Sequence, residues 1–423
     1  LQQCVLAAPG DLLFKVTAPN PQSGAGFGEV LAAADGNILV GEPGRIDLST
    51  GAVGLVYVFD GRSGVLKTVL ANPEHVHLDT FGQALTGGDG RVFISARGLE
   101  ERVYAFDADT GEYVLRIDDP EGNGNNFGGA LAYGNGRLVA SSSAYNNKVG
   151  TLSIGRAYLF DPIDGSRTVT FSNPEPKAFD TFGTALATFE NKVVVGAILD
   201  DLPDDAHPDG DNPGRVWVLD TASGEQDFVI ENPNLSAPPP HEFGDWFGAP
   251  LAANDALIVV GAQEDGTNGV DGSGTVYAFS TDTGVLIHTL YSPRPEINGE
   301  FGRSVALTPR GDILVGAFGT SAGGIEDAGY AYLFDGETGK LLLEFPNPEP
   351  EQFASFGWTV GAFGDYIAIG TPQNTAEGVI AGGAVFIFDC SLVPEPTSIA
   401  LAVLSFLGLF LAGTSVPRHR EGK

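Results

Sequence analysis

Phe-Gly recurs along this 423-residue chain at Phe27-Gly28, Phe81-Gly82, Phe127-Gly128, Phe182-Gly183, Phe247-Gly248, Phe301-Gly302 and Phe356-Gly357, in steps of 54, 46, 55, 65, 54 and 55 residues. A nearly fixed period of this size marks a repeat architecture, in which each unit buries its apolar face against the next. Phe243-Gly244, four residues ahead of its neighbour, stands outside the period. Order within the units is constant. Phe-Gly opens a small-residue run such as FGTALAT, and a tight turn leads to an apolar run such as NKVVVGA. After a variable loop comes an aromatic run ending in Asp, such as RVWVLD; a Gly turn then delivers a fourth run, such as VLKTVL. Pro-rich links (NPEH, NPEP, NPNL, SPRPE, PNPEPE) return the chain to the next Phe-Gly.

Four short β-type runs per unit, repeated seven times, predict an all-β, seven-bladed β-propeller of four-stranded blades. The last unit stops short: GAVFIFDC ends at Cys390 and no fourth run follows. The chain, however, begins with GDLLFKVTAPNP, which matches TGKLLLEFPNPEP of the preceding unit. Leu12 to Val16 is therefore expected to supply the missing strand and to close the ring, removing an exposed sheet face at either end.

Only two cysteines occur, Cys4 and Cys390, one at each extremity of the repeat region. That placement suits a Cys4–Cys390 disulfide locking the seam, worth roughly 5–6 kcal/mol in the chain-entropy description of so long a loop. It does not suit a disulfide-dense scaffold or a zinc knuckle.

Charge narrows the partners. With 22 Lys+Arg against 54 Asp+Glu the net charge is −32, which excludes nucleic acid because phosphates require a basic footprint. Disorder is excluded by a 43% hydrophobic composition. Methionine is absent altogether, which a removed secretory leader or a trimmed fragment would each explain.

Between Pro396 and Pro417 there is no charged residue, and Arg418, His419, Arg420 and Lys423 follow at once. About 20 apolar residues at ~1.5 Å each span ~30 Å, so a C-terminal transmembrane helix is expected, with the basic end in the cytoplasm and the repeats outside. Val393-Pro394-Glu395-Pro396, the apolar segment and the cluster holding Arg418 and Arg420 together resemble the PEP-CTERM sorting signal of bacterial exported proteins. The resemblance implies handling by an exosortase-type sorting enzyme, and a cell that makes an extracellular polysaccharide matrix. Two regions are thus expected: the repeat region at 1–391, and the sorting signal with its helix and basic tail at 392–423.

The units themselves resemble FG-GAP repeats, the kind found in integrin α-chains and many bacterial surface proteins. The carriers are Phe27-Gly28 with Val40-Gly41-Glu42-Pro43, Phe182-Gly183 with Val195-Gly196-Ala197, Phe247-Gly248 with Val260-Gly261-Ala262, Phe301-Gly302 with Val315-Gly316-Ala317, and Phe356-Gly357 with Ile369-Gly370-Thr371-Pro372. The family's calcium loop is missing. Turns between the first two strands read AADGN, GGDGR, YGNGR, FENK, ANDA, TPRGD and FGDY, and one carboxylate or none cannot build a cage of about six to eight oxygens. The only dense acid cluster is LDDLPDDAHPDGDNPG at 199–214, with Asp200, Asp201, Asp204, Asp205, Asp209 and Asp211 as candidate calcium ligands. A shorter acidic loop, EDGTNGVDGSG, carries Asp265 and Asp271. Neither spacing fits an EF-hand, so a hydrated acidic loop is the competing reading. The phrase YAFDADTG also resembles quinoprotein dehydrogenase repeats, but those rely on recurrent tryptophans and this chain has three Trp.

No Gly-x-Ser-x-Gly elbow, His-Glu-x-x-His pair or phosphate-cradling loop is present. His75 and His77 form a pair without a third ligand. The expected function is a non-catalytic surface or matrix protein that engages extracellular polysaccharide or a surface protein. The alternative is an exported glycan-active enzyme with acids at the channel between the blades. A diagnostic separates them: an enzyme gathers carboxylates, aromatics and an arginine at one place, whereas a scaffold spreads them among loops.

Overall fold

The computed structural model describes residues 8–46, 53–74, 80–98, 100–122, 124–145, 153–200, 213–234, 244–266 and 268–391. Twenty-eight strands and no helix occur among them. Each repeat delivers its strands as consecutive antiparallel neighbours; in the fourth, Leu186–Phe189, Lys192–Ala197, Arg215–Asp220 and Gln226–Glu231 pair in chain order.

The hairpin between third and fourth strands is set by one carboxylate. Asp60 Oδ1 accepts from the Arg62 and Ser63 amides at 3.2 and 2.9 Å and from Ser63 Oγ at 2.7 Å. Asp107, Asp220 and Asp335 repeat this arrangement with Thr110, Ser223 and Thr338. These bonds favour the ionised form, and backbone amides hold Asp220 down to about 2.

Packing between repeats follows from the Phe-Gly pairs. All seven phenylalanines are fully buried. Phe301 meets Tyr332 and Phe334 of its own third strand at ring separations of 5.8 Å, and belongs to one cluster with Val259, Val276 and Ala278 of the preceding repeat. Among the described residues such clusters lie between successive repeats throughout, and one joins Ala368, Val385 and Ile387 of the seventh to Phe27, Ile38, Val40, Tyr57 and Phe59 of the first.

Main chains also approach closely here. A glycine stands at the start of the third strand in six repeats, Gly54 as its second residue and Gly155, Gly214, Gly274, Gly329 and Gly383 just before it, always with positive φ. At Gly274, φ is +83°, and a Cβ would lie 1.9 Å from the carbonyl oxygen of Phe301 in the next repeat. The Phe301 amide in turn donates to Ser273 O at 3.0 Å. The second repeat has Glu101 instead. Its carboxylate, turned toward the third repeat, accepts from the Asn125, Asn126 and Phe127 amides at 3.1, 3.1 and 2.9 Å.

The structure corrects the expected architecture. Strand pairing yields six sheets, five of four strands and one of eight, not seven separate blades. A parallel bridge from Val53 to Thr80 fuses the first two repeats into the eight-stranded sheet. Elsewhere neighbouring sheets meet through side chains and single bridges, Gly155 with Phe182 and Gly329 with Phe356, so the sheets are not closed into a hydrogen-bonded ring. Leu12–Val16 does pair antiparallel with Ala384–Asp389, completing the last four-stranded sheet. Pairing within that sheet is a separate matter from hydrogen bonding around all of them.

The disulfide is corrected too. Cys390 is a free, buried thiol. Its side chain packs with Phe345, Phe356 and Phe388 in the cluster between the sixth and seventh repeats, and burial pushes its pKa up to about 11. Cys4 lies outside the described residues. So does 392–423, where the transmembrane helix is expected; among the described residues no helix is long and apolar enough to cross a membrane.

Replacing Gly274 by Ala forces a left-handed conformation on a residue with a Cβ and a clash with backbone. It is expected to cost about 2–5 kcal/mol. Gly378→Ala, at φ +80° with open space around it, is expected to cost only about 1–2 kcal/mol. Denaturant midpoints of the two variants, compared with the parent, check this; equal losses would show that the close approach carries no weight.

Candidate functional site

Of the six aspartates proposed to hold calcium, Asp200 is described and the other five (201, 204, 205, 209 and 211) lie outside the described residues. Asp200 is fully buried. Trp217 Nε1–H and Asn173 Nδ2–H donate to its Oδ2 at 2.8 and 3.2 Å, and Arg215 Nη1 lies 3.6 Å from Oδ1. Burial raises its pKa to about 6 against the lowering effect of Trp217 and Arg215. Within the other acidic loop, Asp265 accepts from Tyr277 Oη at 2.6 Å and Asn234 Nδ2 at 3.1 Å. Glu42 likewise accepts from Tyr57 Oη at 2.6 Å.

Tyr57, Trp217 and Tyr277 occupy the same place in their third strands, three residues before Asp60, Asp220 and Ser280. An acid shortly after the Val-Gly step thus satisfies the polar end of a buried aromatic in three repeats. No group of three or more metal-ligating side chains occurs among the described residues. The sorting-signal residues Val393, Pro394, Glu395, Pro396, Arg418 and Arg420 lie outside them, as do His75 and His77.

A different constellation forms where the first strands begin. The residue following Phe-Gly is Glu29 in the first repeat, Arg303 in the sixth and Trp358 in the seventh. The first strand of the seventh repeat neighbours those of the sixth and the first, so residues from three repeats and from both halves of the chain converge. The Arg303 guanidinium lies 4.4 Å from the centre of the Trp358 ring, and Trp358 packs at 4.9 Å against Phe318. The Arg303 amide donates to Glu300 O at 3.1 Å, but among the described residues its guanidinium makes no hydrogen bond or close ion pair, although it feels the charges of Glu300 and Glu29. Burial raises the pKa of Glu29, with Arg303 opposing. Glu300 is raised to about 7 by burial and then by Glu264 and Asp327, again with Arg303 opposing, and Gln263 Nε2 donates to it at 3.3 Å.

The backbone leading into this place is unusual. Gly26, Asn126, Thr181, Trp246, Glu300 and Ser355, each immediately before Phe-Gly, all have positive φ. For residues with a Cβ that conformation costs about 1–2 kcal/mol, so the repeat imposes it against local preference. The same lead-in segments display Phe179 (54% exposed), Trp246 (36%) and Phe353 (56%). Composition and motif searches pass over Arg303, Trp358, Glu29 and Glu300, because none belongs to a local pattern. The signal was positional: charged or aromatic residues right after Phe-Gly, where small residues prevail elsewhere.

Asp200→Ala strands the buried Trp217 indole N–H, while Asn173 keeps Asp180 and Arg215 keeps Glu175. A loss of about 1–3 kcal/mol is expected, read as a lowered denaturant midpoint with unchanged slope. A midpoint within about 0.5 kcal/mol of the parent would show that Asp200 has no structural duty.

Comparison with known proteins finds the FG-GAP repeat family matching over residues 237–279, a segment holding Phe247-Gly248, Gly261 and Asp265. No curated protein matches the chain. The chain contains an FG-GAP repeat at 237–279, in its fifth unit.

Proposed function

We propose that this is an exported bacterial surface or extracellular-matrix protein whose repeats bind polysaccharide or protein without catalysing a reaction. The observation that carries the reading is the convergence of Arg303, Trp358, Glu29 and Glu300. An aromatic platform with hydrogen-bonding groups of both signs suits a hydroxyl-rich chain. The FG-GAP repeat at 237–279 is consistent with an adhesive role. Delivery rests on the order of Val393-Pro394-Glu395-Pro396, apolar segment and Arg418/Arg420, which supports sorting by an exosortase-type enzyme and anchorage in the membrane before processing.

A second reading, a glycan-active enzyme, draws on the same place. Acids, aromatics and an arginine do gather there, which is the diagnostic for catalysis, and a carboxyl near 7 is what a general acid needs. The binding reading is preferred because the second acid of a glycosidase pair has no identified position relative to a scissile bond.

Incubating the full chain with matrix polysaccharides, while measuring retention and reducing-end release together, tests both. Retention without release is expected. Replacing Trp358 by Ala is expected to weaken retention about fivefold, at about 1 kcal/mol. Sustained reducing-end release would overturn the non-catalytic reading in favour of the enzyme, and absence of any retention would overturn polysaccharide binding.

A further inference from the structure

Arg303 is a cation kept out of ion pairs in a chain with a large excess of acids. Arg102, Arg116, Arg156, Arg215 and Arg294 all sit within ion-pair distance of carboxylates. The Arg303 guanidinium instead lies over the Trp358 ring, 4.4 Å from its centre, with its charge sensed by the Glu300 and Glu29 carboxylates but bonded to neither of them. Contact with the indole braces the guanidinium, and among the described residues none of its N–H groups is hydrogen-bonded. The N–H edge of a guanidinium is a rigid fork matched to two coplanar oxygens, which is the geometry of a carboxylate. Held in a partly desolvated place, such a fork gains more from an incoming carboxylate than it would in water.

The surroundings say what should carry that carboxylate. Glu29, Glu300, Glu264 and Asp327 are acceptors, and Gln263 is already engaged with Glu300. A ligand with several adjacent charges, such as an acidic peptide, meets repulsion from this set. A sugar acid brings one carboxylate per residue, flanked by hydroxyls that donate to Glu29 and Glu300. Resting on the polysaccharide-binding reading above, we infer that Arg303, braced by Trp358, binds the carboxylate of a uronic acid residue in an acidic polysaccharide. Glu29 and Glu300 receive the hydroxyls of the same sugar.

Binding should depend on pH in a definite sense. Glu300, faced by Arg303, Glu264, Asp327 and Gln263, carries a proton below about 7 and is charged above it. Its ionisation adds a like charge beside the incoming carboxylate, so affinity falls as pH rises. Glu29, faced by Arg303 and likewise raised by burial, acts in the same direction.

The experiment is calorimetric titration of the full chain with a linear uronate trisaccharide and with its neutral methyl ester. A chelator is included throughout, so that calcium cannot bridge carboxylates to the acidic surface. The trisaccharide is expected to bind at least about tenfold tighter than the ester, and about tenfold more weakly at pH 8 than at pH 6, each about 1.4 kcal/mol. Arg303→Lys, which keeps the charge but loses the fork, is expected to lose at least about tenfold for the uronate while the ester is unaffected. Equal binding of uronate and ester by the parent protein overturns the proposal and needs no variant to fold. Tri-glutamate binding as tightly as the uronate overturns the sugar assignment. Retention of neutral polysaccharide without uronate preference sinks this inference alone, whereas no retention of any polysaccharide sinks the broader reading.

Discussion

One contact organises this protein: the carbonyl of a phenylalanine set against a glycine that no other residue could replace without a clash. At Phe301 and Gly274 the approach leaves no room for a Cβ. Because the phenylalanine side chain is wedged among Tyr332, Phe334 and the preceding repeat's Val276, its backbone has no freedom to retreat. Side-chain burial and main-chain proximity therefore enforce each other, and sheets with few hydrogen bonds between them still pack as one succession. The second repeat solves the problem differently. Glu101 gives up the glycine slot, and its carboxylate binds the three amides at 125–127 instead. A conserved-looking backbone position can thus be vacated when a side chain supplies the missing polar partner.

Much of this was legible because the repeat states it seven times. Strand order, the Asp-Gly hairpins and the pairing of Leu12–Val16 with Ala384–Asp389 all follow from local pattern or from matching one unit against another. What failed to show in the sequence depends on distances that pattern does not encode. Whether two sheets fuse through one bridge at Val53 and Thr80 is decided by backbone approach, not by residue type. Cys390 looked like half of a clasp because it ends the last strand, yet its side chain turns into the core between repeats six and seven. Glu29, Arg303 and Trp358 belong to three repeats and meet only once those repeats are side by side.

Acid in this chain has two separate uses. Asp200, Asp265 and Glu42 are buried partners for an indole or phenol and hold the third strand in register with its loop. Glu29 and Glu300 are bonded to no indole or phenol; burial raises both, as it raises Asp200 and Glu42, but the charge beside them is that of Arg303. That difference separates the structural acids from those of the proposed binding place more clearly than their number does.

The fastening role of the Phe-Gly seam is tested most directly by native-state hydrogen exchange at the Phe301 amide, which donates across to Ser273. If the seam holds the repeats together, this amide exchanges only through global unfolding, with the same opening free energy as mid-strand amides such as that of Val276. Exchange orders of magnitude faster than Val276, through local opening under native conditions, would contradict the account.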